Sequence, residues 1–218
     1  ITNADRKHYV VFEGVSSCVE VFINGQFAGY SQGSRLQAEF DISAYVQEGT
    51  NEIVAKVRKW CSGSYLEDQD CFRYNGIFRD VYLLSRPEGH IVDIDIATKG
   101  NEVHIKLEGS AAISLYDADK NLVASCEADG QAVLNVENPV QWNAEKPYLY
   151  RVELERDGEV IELKTGLRKI EVSDEYALLI NGIAVKLHGV NHHDTSAHRG
   201  WCQSDEELRK DLLLMKEL

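Results

Sequence analysis

Val19-Glu20-Val21-Phe22-Ile23-Asn24-Gly25-Gln26-Phe27-Ala28-Gly29-Tyr30 decides the fold class. Val19, Val21 and Ile23 recur with period two up to Asn24-Gly25, a dipeptide that tolerates the positive φ of a tight turn, and Phe27 and Tyr30 return on the other side. This is the grammar of a β-hairpin with one buried face. Further along, Ile53, Ala55 and Val57 face one way while Glu52, Lys56 and Arg58 face the other, so the opening of the chain predicts an antiparallel sheet. Arg86-Pro87-Glu88-Gly89 breaks the pattern, and a fresh set of alternating segments follows: Ile91 to Ile96, Val103 to Leu107, Ile113 to Tyr116, Leu122 to Cys126, Ala132 to Val136 and Tyr150 to Leu154. Lys99-Gly100 and Asp157-Gly158 supply turns between them. About seven short strands at such spacing predict an immunoglobulin-like sandwich ending near Arg168. The antibody Cys…Trp…Cys pattern is missing, so only the architecture is implied.

After Asn181-Gly182 the pattern changes. Ile183, Val185 and Leu187 predict one more strand, a polar stretch runs from Asn191 to Gln203, and Ser204-x-x-Glu207 has the form of a capping box. Leu208, Leu212 and Met215 then recur at helical spacing. Strand, loop and helix make one β/α unit. A parallel (β/α)8 barrel takes about 250 residues, so this segment predicts a truncated barrel. Leu218 follows the helix without a C-cap signal, and Ile1 has the look of a cut rather than a natural start.

The hydrophobic share of 44% and charged share of 27% are those of an ordinary globular chain with enough apolar material for a core. No apolar run approaches bilayer-spanning length, so no membrane partner is expected. Net charge of -13, from 23 basic against 36 acidic residues, argues against nucleic acid, whose binding relies on clustered Lys and Arg. A neutral ligand such as a sugar fits better, although much of the acidity can serve solubility alone. Cys18, Cys61, Cys71, Cys126 and Cys202 are odd in number and form no C-x-x-C pair, which favours reduced thiols and a cytoplasmic location. Cys61 and Cys71 bracket one loop, and the sequence leaves open whether they form a bridge or two thiols.

That loop, Trp60 to Val81, reads W-C-S-G-S-Y-L-E-D-Q-D-C-F-R-Y-N-G-I-F-R-D-V. Irregular segments beyond about 12 to 15 residues are usually functional or disordered. Tyr65, Leu66, Phe72, Tyr74, Ile77 and Phe78 favour a packed conformation around Glu67, Asp68 and Asp70, whose carboxylates need partners if buried.

Three stretches carry a resemblance. G-S-Y-L-E-D-Q-D…G-I-F-R-D-V within 60–81, Gln141-Trp142-Asn143-Ala144-Glu145-Lys146-Pro147-Tyr148-Leu149-Tyr150, and Lys186-Leu187-His188-Gly189-Val190-Asn191-His192-His193-Asp194 occur in that order along essentially the whole chain. Together they resemble the β-galactosidases of glycoside hydrolase family 2. The resemblance implies a mainly β chain: the later part of a sugar-binding jelly-roll domain over residues 1–87, an immunoglobulin-like β-sandwich over 88–170, and the start of a catalytic TIM barrel over 171–218. It implies a retaining hydrolase of terminal β-D-galactosyl residues, β-galactosides as substrate, and assembly into homo-oligomers. Retaining glycosidases use two carboxyl groups about 5 to 5.5 Å apart. The family's two catalytic glutamates lie on later barrel strands, so no catalytic residue is assigned in this chain, which is expected to be inactive alone.

By resemblance, Asp70 reaches the barrel mouth, touches the galactose and helps hold a monovalent cation, sodium or potassium, while magnesium is expected at ligands further along. The alternative for Asp70 is a helix cap or an ion pair with Arg73 or Arg79. Glu67 and Asp68 read as structural. His193 would hydrogen-bond a sugar hydroxyl from the end of the first barrel strand; the alternative is a solvated loop histidine. The family often carries Arg in place of His192 and a His-rich or Pro-containing stretch in place of Thr195-Ser196-Ala197-His198, so the outer sugar subsite is expected to differ. His192, His193 and His198 do not have standard zinc spacing. Trp60 and Trp142 read as packing residues, and Trp201 is open to packing or sugar stacking. The competing readings are a non-catalytic carbohydrate-binding module, a β-sandwich interaction scaffold, and the sister activities β-glucuronidase and β-mannosidase.

Overall fold

The computed structural model describes residue 1 and residues 6–218, and the chain divides into two compact units, Ile1–Glu88 with Gly189–Leu218, and Gly89–His188. The first contains β1 (Lys7–Phe12), β2 (Val15–Ser16), β3 (Cys18–Ile23), β4 (Gln26–Gln32), β5 (Ala38–Asp41), β6 (Ile53–Arg58), β7 (Gly76–Ile77) and β8 (Val81–Arg86). These form antiparallel sheets in the orders β5-β1-β8 and β4-β3-β6, with a small β2-β7 pair beside them. Asn24 and Gly25 have φ of 49° and 80°, as the two-residue hairpin between β3 and β4 requires. Val19, Val21 and Ile23 are fully buried and pair across the sheet with Val57, Ala55 and Ile53. They pack with Val10, Phe12, Val15, Ala38, Phe40 and Ile42, and Phe12 meets Phe40 edge-on at 6.1 Å. Phe27 and Tyr30 lie on the outer face, where Phe27 meets Phe22 at 5.5 Å.

The second unit contains β9 (Asp95–Lys99), β10 (Glu102–Tyr116), β11 (Leu122–Asn135), β12 (Tyr150–Arg156) and β13 (Glu159–Thr165) in one antiparallel sheet, followed by β14 (Ile170–Val172), β15 (Leu178–Ile180) and β16 (Ile183–Ala184) in another. The predicted strands at Val103 and Ile113 are one continuous strand, β10, and those at Leu122 and Ala132 are likewise one, β11. Between Lys106 and Ser110 the register shifts, with Gly109 at φ 78°. This bulge bends the hairpin without ending it, so residues 102–106 of β10 pair with β9 while residues 112–116 pair with β12. Arg156 fixes the bend. Its guanidinium donates to the carbonyls of Gly89, His90, Glu108 and Ser110 at 2.7, 2.7, 2.6 and 3.3 Å. A Cβ on Gly109 would lie 2.8 Å from Arg156 Nη1, so the close approach needs glycine. The core of this unit is Ile91, Val103, Ile105, Leu107, Ile113, Leu115, Leu134, Tyr150, Val152, Leu154 and Leu167. Ile91 lies outside any strand, because the predicted Ile91–Ile96 strand begins only at Asp95.

The final segment holds helix α1 (Asp205–Glu217), whose start matches the predicted capping box: the Ser204 hydroxyl accepts from Glu207 N at 3.3 Å, and the Glu207 carboxylate accepts from Ser204 N at 2.8 Å. The predicted strand over Ile183–Leu187 pairs only through Ala184. Val185 N adds one bond to Leu178 O at 2.9 Å, and among the described residues no further strand lies alongside to continue the ladder.

Candidate functional site: the acidic arm

The arm leaves β6 at Arg58, turns once through a 3-10 helix at Ser62–Tyr65, and returns as β7. Polar bonds hold it. The Glu67 carboxylate accepts from Ser34 N at 2.7 Å and Ser34 Oγ at 2.6 Å, Ser34 Oγ reaches Ser16 Oγ at 3.1 Å, and Ser16 Oγ donates to Tyr74 O at 3.2 Å. Gln32 Oε1 accepts from Ser62 Oγ and Gly63 N at 3.2 and 3.3 Å. Arg73 pairs with Asp68 at 3.5 Å, donates to Ser64 O at 3.1 Å, and lies over the Trp60 ring at 5.2 Å. The expectation of apolar packing fails for three side chains. Tyr65, Leu66 and Phe72 are 86%, 90% and 77% exposed: the single 3-10 turn buries Ser64 and directs Tyr65 and Leu66 outward, and Phe72, beyond the turn, meets the Tyr74 ring at 6.4 Å.

Asp70 sits beyond these anchors. It is exposed, and among the described residues no hydrogen bond or ion pair engages its carboxylate. Arg73 is occupied by Asp68, and Arg79 lies against the Phe78 ring at 5.6 Å. A tight turn, Cys71 N to Gln69 O at 2.8 Å, sets the local backbone. All five cysteines are free. The Cys61 thiol reaches Ser17 O at 3.6 Å, and Arg35 Nη2 approaches Cys71 Sγ at 3.8 Å. Burial opposes ionisation of Cys61, but the Ser64 hydroxyl and the backbone N–H groups of Ser64 and Gly63 outweigh it and lower that thiol's pKa.

Residues 191–203 belong to the same compact unit as the arm. His192 is clamped between two carboxylates, Nδ1 to Asp194 and Nε2 to Asp211, both at 3.2 Å, and Gln203 Nε2 donates to Asp211 at 2.8 Å. His193 is exposed, and its ring makes no hydrogen bond among the described residues; its carbonyl accepts from Thr195 N at 2.8 Å. Ser196 and Gly200 exchange backbone bonds at 2.7 and 2.9 Å, closing a short loop. Ser196 Oγ donates to Glu207 Oε1 at 3.2 Å, and Arg199 pairs with the same carboxylate. The Ser204 N–H, then Arg199, the Ser204 hydroxyl and Ser196, hold the Glu207 carboxyl down at about 2.

Sequence reasoning left Trp201 undecided, and the structure gives it a seat. Its ring meets Phe78 at 5.1 Å and Tyr74 at 5.5 Å, both edge-on, and the Arg35 guanidinium stacks over it at 4.3 Å. Gly200 suits this place, since it has a φ of 60° and a Cβ there would crowd the Tyr74 ring at 3.0 Å. A cavity of about 60 Å³ opens among Ser34, Arg35, Glu67, Cys71, Arg73 and Trp201. Trp142 is a packing residue: Arg168 covers its ring at 4.7 Å, and a Cβ on Gly166 would meet it at 2.7 Å.

Asp70 offers a single oxygen-ligating side chain, and the described residues contain no group of three or more His, Cys, Asp or Glu side chains able to hold a metal ion. A hard cation takes about six or more oxygens, of which Asp70 would supply one carboxylate group. No described helix is long and apolar enough to cross a membrane.

Comparison with known proteins places this geometry. Residues 2–87 match the sugar binding domain of glycosyl hydrolases family 2, residues 79–168 a second model of glycosyl hydrolases family 2, and residues 170–218 the TIM barrel domain of that family. A β-galactosidase of Actinobacillus pleuropneumoniae is 41% identical over 100% of this chain, and one of Staphylococcus xylosus is 38% identical over 96%. The chain spans 22% of the length of each. The fold also matches a β-D-glucuronidase of Dictyoglomus thermophilum, with a TM-score of 0.80 at 25% identity over 97% of this chain and 42% of that one. A β-glucuronidase of Faecalibacterium prausnitzii, at TM-score 0.84 and 21% identity over 97% of this chain and 42% of that one, shares the fold. With three models of one family laid end to end along it, and curated relatives aligned over its whole length, the chain belongs to glycosyl hydrolase family 2.

Proposed function

We propose that the protein hydrolyses terminal β-D-galactosyl residues with retention, and that this chain supplies substrate-binding groups rather than the catalytic carboxyl pair. One observation carries the reading: within Glu67-Asp68-Gln69-Asp70 and His192-His193-Asp194, Glu67, Asp68, His192 and Asp194 are engaged in structural bonds, while Asp70 and His193 are left exposed and unengaged, as are Asp80 and His188 in the flanking sequence. A carboxylate accepts hydrogen bonds from two sugar hydroxyls, and an imidazole can donate to or accept from a third. Asp70 would also lend one oxygen to a sodium or potassium ion bound beside the sugar. No catalytic acid, base or nucleophile is assigned within residues 1–218, and the chain alone would not turn over substrate.

β-Glucuronidase is the second reading, favoured by the solved structures that share the fold. Asp70 argues against it, because a uronic acid brings its own carboxylate and two like charges repel in a water-poor site. The test is direct. The full-length enzyme should cleave o-nitrophenyl β-D-galactoside and spare the matching β-D-glucuronide, and Asp70→Asn should lower galactoside turnover. Preference for the glucuronide would overturn the reading.

A further inference from the structure

We infer that Trp201 is a positioning residue: seated among Tyr74, Phe78 and Arg35, it fastens the loop that carries His193 to the arm that carries Asp70. The inference rests on the galactosidase reading for its functional consequence, but the clamp stands on its own geometry. From the arm, Asp70 is bonded in the chain to Cys71, whose thiol lies 3.8 Å from Arg35, and Arg35 stacks on Trp201 at 4.3 Å. Tyr74 and Phe78, on the returning limb, close on the same ring at 5.5 and 5.1 Å. From the other side, Trp201 follows Gly200, Gly200 is bridged to Ser196, and Thr195 is tied back to the His193 carbonyl at 2.8 Å. This gives an unbroken run of covalent and packed contacts from one proposed sugar ligand to the other, which is the physical form that coupling between two groups takes. Two groups that must meet one pyranose ring are sensitive to small displacements, and a shift of about 1 Å can cost on the order of a hundredfold in rate.

The experiment uses the full-length enzyme with Trp201→Ala, Trp201→Phe, Arg35→Ala and the double variant R35A/W201A. Steady-state kinetics on o-nitrophenyl β-D-galactoside should show KM raised about tenfold or more in Trp201→Ala with a smaller change in kcat, the pattern of lost binding geometry. Trp201→Phe keeps an aromatic edge for Tyr74 and Phe78 and should recover most of the loss. Arg35→Ala should add little once Trp201 is gone, because both act through one contact. Unchanged KM in Trp201→Ala, or simple additivity with Arg35→Ala, would overturn the proposal. If Trp201→Ala does not fold, Arg35→Ala, an exposed residue, carries the same test with a smaller expected rise in KM.

Amide exchange provides a readout that needs no sugar. Residues 191–203 should exchange faster in Trp201→Ala while the hairpin around Asn24-Gly25 keeps its protection. Unchanged exchange at 191–203 overturns the clamp whatever the activity. Faster exchange in a protein whose wild type cleaves no β-galactoside supports the clamp and overturns the proposed function instead.

Discussion

The bend in β10 and the acidic arm both depart from regular strands, and they resolve their charges in opposite ways. At the bend, one guanidinium answers four backbone carbonyls, so the irregularity ends with its polar groups satisfied. In the arm, Glu67 and Arg73 are satisfied in the same manner, yet Asp70 and three apolar side chains point outward. A loop that needed only to close would have no use for that surplus. On the proposed function, the difference separates a distortion that serves the fold from one that presents groups to the sugar.

The sharpest way to break this comparison is Asp70→Ala in the full-length enzyme. On the proposed sugar-binding role of Asp70, its loss should reduce kcat/KM on a β-galactoside by about a hundredfold or more, with thermal stability unchanged. Unaltered kinetics would return Asp70 to the solvated surface. Arg156→Ala should act the other way, destabilising the second unit by about 2 to 3 kcal/mol because four carbonyls lose a charged donor. Chemical denaturation checks this, and a change below about 0.5 kcal/mol, the scatter of ordinary surface substitutions, would mean that the bend holds itself. Glu67→Ala should lower stability by about 1 to 2 kcal/mol, since Ser34 loses its acceptor, and should affect kinetics less than Asp70→Ala does. A larger kinetic than thermal effect would dissolve the distinction between the two acids.

The smallest effect is a pH dependence. The Glu207 carboxyl is held at about 2, below its ordinary 4.5, so its contribution to the start of α1 is complete above pH 4.5 and is lost as pH falls toward about 2. The protection of amides 196–208, taken relative to their intrinsic exchange at each pH, should stay constant down to about pH 4.5 and fall below it. A carboxyl titrating near 4.5 by NMR would remove the Ser204, Arg199 and Ser196 contacts from the account.

Local chemistry was legible in the sequence. Asn24-Gly25, Asp157-Gly158 and Asn181-Gly182 all make turns with positive φ, and Ser204 with Glu207 makes the reciprocal cap, because each depends on neighbours a few residues apart. What escaped was set by distant partners. Nothing near Lys106 announces that β10 continues through a bulge, since the group that stabilises the bulge is Arg156. Trp201 could not be assigned for the same reason: its ring partners come from Arg35, Tyr74 and Phe78. The exposure of Tyr65 and Leu66 ran against their apolar character, which predicts burial but not the outward pitch of a four-residue 3-10 turn. For Asp70 and His193, the family motif pointed to the residues, and the structure adds that their neighbours are engaged elsewhere.

The unbroken hairpin of β10 and β11 has a mechanical consequence. Each strand contributes to both ends of the second unit's main sheet, so the two ends share one pair of strands. Heating should therefore dismantle the β9–β13 sheet, residues 95–165, in a single cooperative step.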